Sequence, residues 1–239
     1  VESRNDEPRR QTLLRKVKIT PENNVPALSK SEDAGTKHLR MCGDEVMAGI
    51  VERVGPLDEA QKQRGRPEDG YGALVRTIVG QQLSTKAARS IYGKLTAHFD
   101  GETPSPESIL AAKEDELRAC GLSRPKISYL RDLAGRTLEK ELLFDEMSGM
   151  PEEEIIARLT AVKGLGRWSA DMFLMFHLRR PDIMPVGDLG IKRAVERAYG
   201  LPDMPDAKEL EKLSAPWRPE RTLASLYLWE SLDNIPLEV

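Results

Sequence analysis

The chain is poor in the residues that metal, redox and disulfide chemistry need. Among its 239 residues are two cysteines, Cys42 and Cys120, and three histidines. Two cysteines make no disulfide framework and cannot ligate a four-cysteine iron–sulfur cluster. Three histidines without Cys/His spacing give no zinc site. No apolar run approaches the length needed to span a bilayer, so no membrane partner is expected. The first residues are charged and lack the apolar stretch of a secretory signal, so a reducing, intracellular setting is expected. Positive charge is not in excess either, at a formal net charge of −3. Composition alone therefore announces no polyanion-binding protein.

Alternating strand patterns are missing as well, whereas helical periods recur. Val46, Met47, Ile50, Val51 and Val54 share a helical face. Further helices are expected over Tyr71 to Val79, Ser84 to Phe99, from Ser105-Pro106, within Leu117 to Leu138, and from Pro151-Glu-Glu-Glu-Ile. Trp168 to Leu178, Leu189 to Ala198, Ala207 to Leu213 and Glu220 to Leu232 complete the series. The fold class read from this is all-α. Residues 1–40 differ, with few aromatics, mixed charge and the turn-rich Thr20-Pro-Glu-Asn-Asn-Val-Pro26, and are expected to form a flexible or weakly structured arm. The basic run Pro8 to Lys18 reads equally as a targeting or DNA-contacting arm or as a solvated tail.

Local charge tells more than the total. From Thr160 to Tyr199 the bases Lys163, Arg167, Arg179, Arg180, Lys192, Arg193 and Arg197 outnumber the acids Asp171, Asp182, Asp188 and Glu196. A basic face can hold phosphates on an acidic protein. The same span contains Ala161-Val-Lys-Gly-Leu-Gly-Arg-Trp-Ser-Ala-Asp171, a glycine hairpin opening into a helix, and Pro185-Val-Gly-Asp-Leu-Gly-Ile-Lys-Arg193. Gly164 and Gly166 allow a tight turn and close backbone approach. The amides that follow lie at a helix N-terminus, which favours an anion. In the second piece Asp188 stands at the mouth of a helix, where an aspartate is also an ordinary N-cap.

Together with Gly80-Gln-Gln-Leu-Ser84, Trp217-Arg-Pro and the later Trp229, this order resembles the helix-hairpin-helix, glycine/proline-rich loop, aspartate signature of base-excision DNA glycosylases. It is most like the alkylpurine branch, the 3-methyladenine DNA glycosylase II type. The resemblance runs from about Asp44 to about Asp233. It implies a glycosylase domain over residues 41–239, formed by two helical lobes with the active-site cleft between them. The implied partner is double-stranded DNA with damaged bases, bound by a monomer. The setting would be the nucleus in a eukaryote or the cytoplasm in a bacterium.

The resemblance implies roles residue by residue. Asp188 is the catalytic carboxylate. Trp229, Trp168, Met172 and Tyr71 are pocket candidates, Met172 standing where one relative has a stacking tyrosine. Trp168 occupies the position of a lysine nucleophile in relatives that cut the backbone, so a monofunctional enzyme without lyase activity is implied; as a residue alone it reads as a core tryptophan. Trp217 fits a core role as well as a pocket role. Gln82 is the expected wedge inserted into the duplex, with Leu83 beside it or buried, and Ser84 as helix cap; Lys86 is a weaker phosphate candidate. Lys163, Gly164, Leu165, Gly166 and Arg167 would face the phosphate, Lys163 replacing a frequent proline. No cofactor is required, but the carbonyls of Thr160, Val162 and Gly164 are candidate ligands for Na+ or K+. Two further readings are a glycosylase for a deaminated or oxidised base, and a non-catalytic DNA-binding module that grips phosphates without releasing a base.

Overall fold

The computed structural model describes residues 33–57 and 69–233. These contain helices and connecting turns and no strand. In chain order the α-helices are α1 (Ala34–Met41), α2 (Glu45–Val54), α3 (Gly70–Gly80), α4 (Thr85–His98), α5 (Pro106–Ala111), α6 (Glu114–Ala119), α7 (Arg124–Leu138), α8 (Glu152–Thr160), α9 (Arg167–Met172), α10 (Leu189–Tyr199), α11 (Ala207–Leu213) and α12 (Arg221–Asp233). Short 3-10 turns span Phe144–Gly149 and Ala215–Trp217, and a π-helical turn, Phe173–His177, continues α9.

The helices start where short polar side chains satisfy their first amides. Asp33, Asp44, Asp69, Ser84, Ser105, Ser123, Asp188 and Asp206 are the caps of α1, α2, α3, α4, α5, α7, α10 and α11, each accepting from an amide of the first turn. Such a cap stabilises a helix by about 1 kcal/mol. Helix α9 instead starts from Gly166, which has no side chain to offer, so its first amides remain available.

Two apolar cores organise the helices. One gathers Leu74, Ile78, Leu130, Leu133, Ile155, Leu159 and Leu174 from α3 through the π turn. The other gathers Leu39, Met47 and Ile50 with Ile191, Val195, Trp217, Tyr227 and Leu228. Within the described residues the chain thus starts in the second lobe, builds the first, and returns to the second for α10 to α12. Fully burying each aliphatic side chain among them contributes roughly 1.5–3 kcal/mol, and side chains far apart in sequence supply both cores. Trp229 packs against both and so marks the seam between lobes.

One expectation needs correction, and one open reading is decided. The arm boundary at residue 40 falls inside the helical body: α1 packs Leu39 fully into the second core, while residues 1–32, including the basic run, lie outside the described residues. Trp217 is fully buried and takes the core role. Its Nε1 donates to Asp44 Oδ2 at 2.9 Å, and the Tyr199 hydroxyl donates to the same oxygen at 2.5 Å. Asp44 Oδ1 accepts from the amides of Val46 and Met47, so one carboxylate ties α2 to α10 and to the turn before α12.

Candidate active site

Asp188 sits where the backbone leaves a tight turn and enters α10. Its amide donates to the Pro185 carbonyl at 2.8 Å, and its Oδ1 accepts from the Ile191 amide at 2.8 Å. The capping role is therefore real. The rest of the carboxylate is held by the two tryptophans that the sequence singles out. Trp229 Nε1 donates to Oδ1 at 3.0 Å, and Trp168 Nε1 donates to Oδ2 at 2.7 Å. All three donors are neutral, so they orient the carboxylate without cancelling its charge. Such a group is suited to stabilise positive charge developing beside it.

The indoles reach Asp188 from different elements. Trp168 projects from the first turn of α9, directly after the hairpin, and is 39% exposed, which excludes the core role. Trp229 comes from α12 and lies nearly parallel to Phe176, with ring centroids 6.0 Å apart and an interplanar angle of 25°. Phe176 is presented by the π turn, where the Leu178 amide bonds back to Phe173 at 3.0 Å. One extra residue per turn changes which side chains face α12, and π turns recur at functional sites. Sequence reasoning missed Phe176, because the run Phe173-Leu-Met-Phe176 has no period to reveal a face.

The hairpin lies between α8 and α9. Gly164 has φ +78° and packs under the Tyr129 ring; a Cβ there would lie 2.2 Å from Tyr129 Cδ2. Val162 and Leu165 are buried, so Leu165 anchors the loop through its side chain and cannot present that side chain to a ligand. The two flanking cations have local partners. Lys163 Nζ lies 3.6 Å from Asp132 and Arg167 Nε bonds Asp171 at 2.9 Å. Both remain more than half exposed.

Across a cleft stands the turn after α3. Gln82 has φ +57°, and Gln82, Leu83, Ser84 and Lys86 are exposed; a buried Leu83 is thereby ruled out. Ser84 Oγ accepts from the Ala87 amide as the cap of α4. The cleft has a volume of about 540 Å³ and is lined by Gln81, Gln82, Lys126, Tyr129, Gly164, Gly166 and Trp168 among others. The structure thus joins the turn, the hairpin and Trp168, and through Trp168 the carboxylate. The sequence reading missed Gln81, whose side chain bonds the hairpin at the Gly164 carbonyl, and Lys126, which bonds the turn.

Two pocket candidates do not line this cleft. Tyr71 is buried in the first lobe and borders a separate cavity lined by Asp69, Thr103, Pro104 and Phe144. Its hydroxyl has no partner among the described residues, and burial raises its pKa. Neither Asp188 nor either active-site indole lines that cavity. Met172 is half-buried and lines a smaller space of about 160 Å³ with Arg76, Thr77, Phe173, Phe176 and His177, adjoining Trp229 through Phe176.

Among the described residues no cluster of three or more His, Cys, Asp or Glu could hold a metal ion. No helix there is long and apolar enough to cross a membrane.

Comparison with known proteins bears on the same residues. A family model described as "HhH-GPD superfamily base excision DNA repair protein" matches residues 75–219. The alkylbase DNA glycosidase-like protein mag2 of Schizosaccharomyces pombe is 33% identical over 208 residues, covering 85% of this chain and 96% of that protein. DNA-3-methyladenine glycosylase 1 of the same yeast is 33% identical over 213 residues, covering 88% and 90%. The solved structure of the Schizosaccharomyces pombe 3-methyladenine DNA glycosylase Mag1 in complex with abasic DNA superposes with a TM-score of 0.76 at 34% identity, over 83% of this chain and 96% of that one. With its all-helical lobes, its hairpin and its aspartate-capped helix, the chain belongs to the HhH-GPD superfamily of base excision DNA repair proteins.

Proposed function

We propose that this protein is a monofunctional DNA glycosylase that removes alkylated purines such as 3-methyladenine and 7-methylguanine from double-stranded DNA in base excision repair. The observation that carries this reading is a carboxylate held by two indole N–H groups, beside a cleft bounded by a helix hairpin and an exposed turn. The glycosylase names of relatives at 33% identity agree with it.

The chemistry follows from the residues. A base inside a duplex is out of reach, so it must be flipped into the protein. Gln82 and Leu83 are exposed on the turn that would fill the gap. Trp168, exposed on the cleft wall, and Trp229, stacked beside Phe176, supply the aromatic surface for the flipped base. Alkylation makes the purine cationic, and an indole face attracts a cation by roughly 0.5–2 kcal/mol. Cleavage of the glycosidic bond leaves positive charge on the sugar. Asp188 stabilises that charge and orients or deprotonates the attacking water. A tryptophan at residue 168 cannot form a Schiff base with the sugar, so the product is an intact strand with an abasic site.

The first amides of α9 supply donors for a phosphate beside the lesion. Three neutral carbonyls, of Thr160, Val162 and Gly164, suit a hard cation such as Na+ or K+. Val162 already accepts from the Leu165 amide and Gly164 from Gln81, so an ion there would use their second lone pairs. The chemistry itself needs no cofactor. The enzyme acts as a monomer, in the nucleus or the bacterial cytoplasm, wherever DNA is held.

Duplexes carrying single defined lesions test this reading. Alkylated purines are expected to be released with strand scission only after alkali, and borohydride is expected to trap no protein–DNA adduct. Direct nicking or a trapped adduct would contradict the monofunctional assignment. Release confined to uracil or oxidised guanine would contradict the substrate class.

A further inference from the structure

Helix α7 places Lys126, Tyr129 and Asp132 at three-residue spacing on one face, and each holds a loop of the cleft. Lys126 Nζ donates to the carbonyls of Val79 at 2.7 Å and Gln81 at 2.9 Å. These carbonyls end α3, where the helix dipole is negative and a cation is favoured. Tyr129 lies against Gly164 at the space a Cβ would fill. Asp132 Oδ2 accepts from the Lys163 amide at 2.9 Å and from Arg136 Nε at 3.0 Å. A direct tie closes the circuit, since Gln81 Nε2 donates to the Gly164 carbonyl at 2.8 Å.

We propose that this face of α7 is a strut that fixes the exposed turn at Gln82 relative to the hairpin, making Lys126, Tyr129 and Asp132 positioning residues for base flipping. The proposal rests on the glycosylase reading. A wedge pushed into a base stack is pushed back by it. A turn with a left-handed residue and two exposed side chains would yield unless braced. Lys126 braces it through charge-assisted hydrogen bonds, roughly twice as strong as neutral ones. Through α7 the load passes to the hairpin that grips the same duplex, so gripping and insertion become one event. Partial burial lowers the Lys126 pKa, the desolvation cost borne by the ammonium that makes the two bonds.

The test reads flipping apart from chemistry. Asp188→Asn serves as the background, so that the base stays on the DNA, and 2-aminopurine beside an alkylated purine reports its displacement by fluorescence. Lys126→Met keeps the stem and removes both bonds. It is expected to lower the flipped fraction by about tenfold or more, since small misplacements cost up to about a hundredfold. Duplex affinity is titrated beside it, and the flipped fraction is read at saturating protein, so that weaker binding is not counted as lost flipping. Asp132→Ala should also reduce flipping, whereas Asp132→Asn, which retains an acceptor for the Lys163 amide, should restore most of it. Combining Lys126→Met with Asp132→Ala should cost little more than the larger single loss, because a strut already broken cannot be broken again. Losses that simply multiply, or variants that flip like the background, overturn the strut. If Lys126→Met fails to fold, the half-buried Gln81→Ala carries the same expectation. A protein with Asp188 intact that releases no base, and whose Asp188→Asn form displaces none, refutes the glycosylase reading and the strut together. Release with unaffected flipping in the variants refutes the strut alone.

Discussion

A Cβ added at Gly190 would lie 3.0 Å from Asp188 Oδ1 and 3.2 Å from both Trp229 Cδ1 and Nε1. Gly190→Ala is therefore expected to push the indole off the carboxylate and to slow base release by about tenfold or more while the protein stays folded. Single-turnover kinetics beside a melting curve check this, and an unchanged rate would show that the contact is dispensable. Asp171, on α9 beside the hairpin, makes a different point. Burial raises its pKa although Arg167 pulls the other way, and Oδ2 has no partner among the described residues. The native state thus holds a proton at Asp171 more tightly than the unfolded chain does. This group favours folding in acid and loses that contribution as pH rises through the ordinary carboxylate range to its raised value. Asp171→Asn is expected to be more stable than the parent at neutral pH, with the gap closing as pH falls. Urea melts at both pH values decide it, an equal gap at both contradicting the argument. Asp188, Trp168 and Trp229 were legible in the sequence as residues. Their mutual hydrogen bonds were not, because partners brought together from three helices depend on packing that local pattern does not encode.

The hairpin shows how far an element can be read. Two glycines around a leucine before a helix start sufficed to locate it, and the positive φ at Gly164 is the reason a glycine stands there. Gly164→Ala is expected to cost about 1–3 kcal/mol in stability through backbone strain, with further loss from displacing Tyr129. DNA affinity should fall with it, as measured by thermal melting and duplex titration. Other elements escaped. Helix α1 starts Ala-Gly-Thr-Lys-His, with little apolar periodicity, and is ordered by the burial of Leu39 against helices far along the chain. The π turn fell within a helix read as continuous from Trp168 to Leu178, since a shift from four- to five-residue hydrogen bonding leaves no mark on composition. Lys126 looked like any surface lysine, because its carbonyl partners at the end of α3 become neighbours only in the folded lobe.

On the scale of the molecule, the all-helical class was legible from period alone, and the division into lobes followed from the resemblance. That the first lobe is inserted between parts of the second appears only in the cores, where Leu39 and Met47 meet Tyr227 and Leu228. This arrangement sets Trp229 on the seam and brings α9, α10 and α12 together around one carboxylate. The overall charge of −3 gave no hint of a DNA partner; the hairpin and the basic surplus around it did. The central claim is that this arrangement removes damaged bases through Asp188. Methylated genomic DNA incubated with the parent protein and with Asp188→Asn, the freed bases being separated by chromatography, tests it most directly. Release of 3-methyladenine or 7-methylguanine by the parent alone, with DNA binding kept by the variant, is the predicted result. Equal release by both proteins, or none by either while both bind DNA, would contradict it.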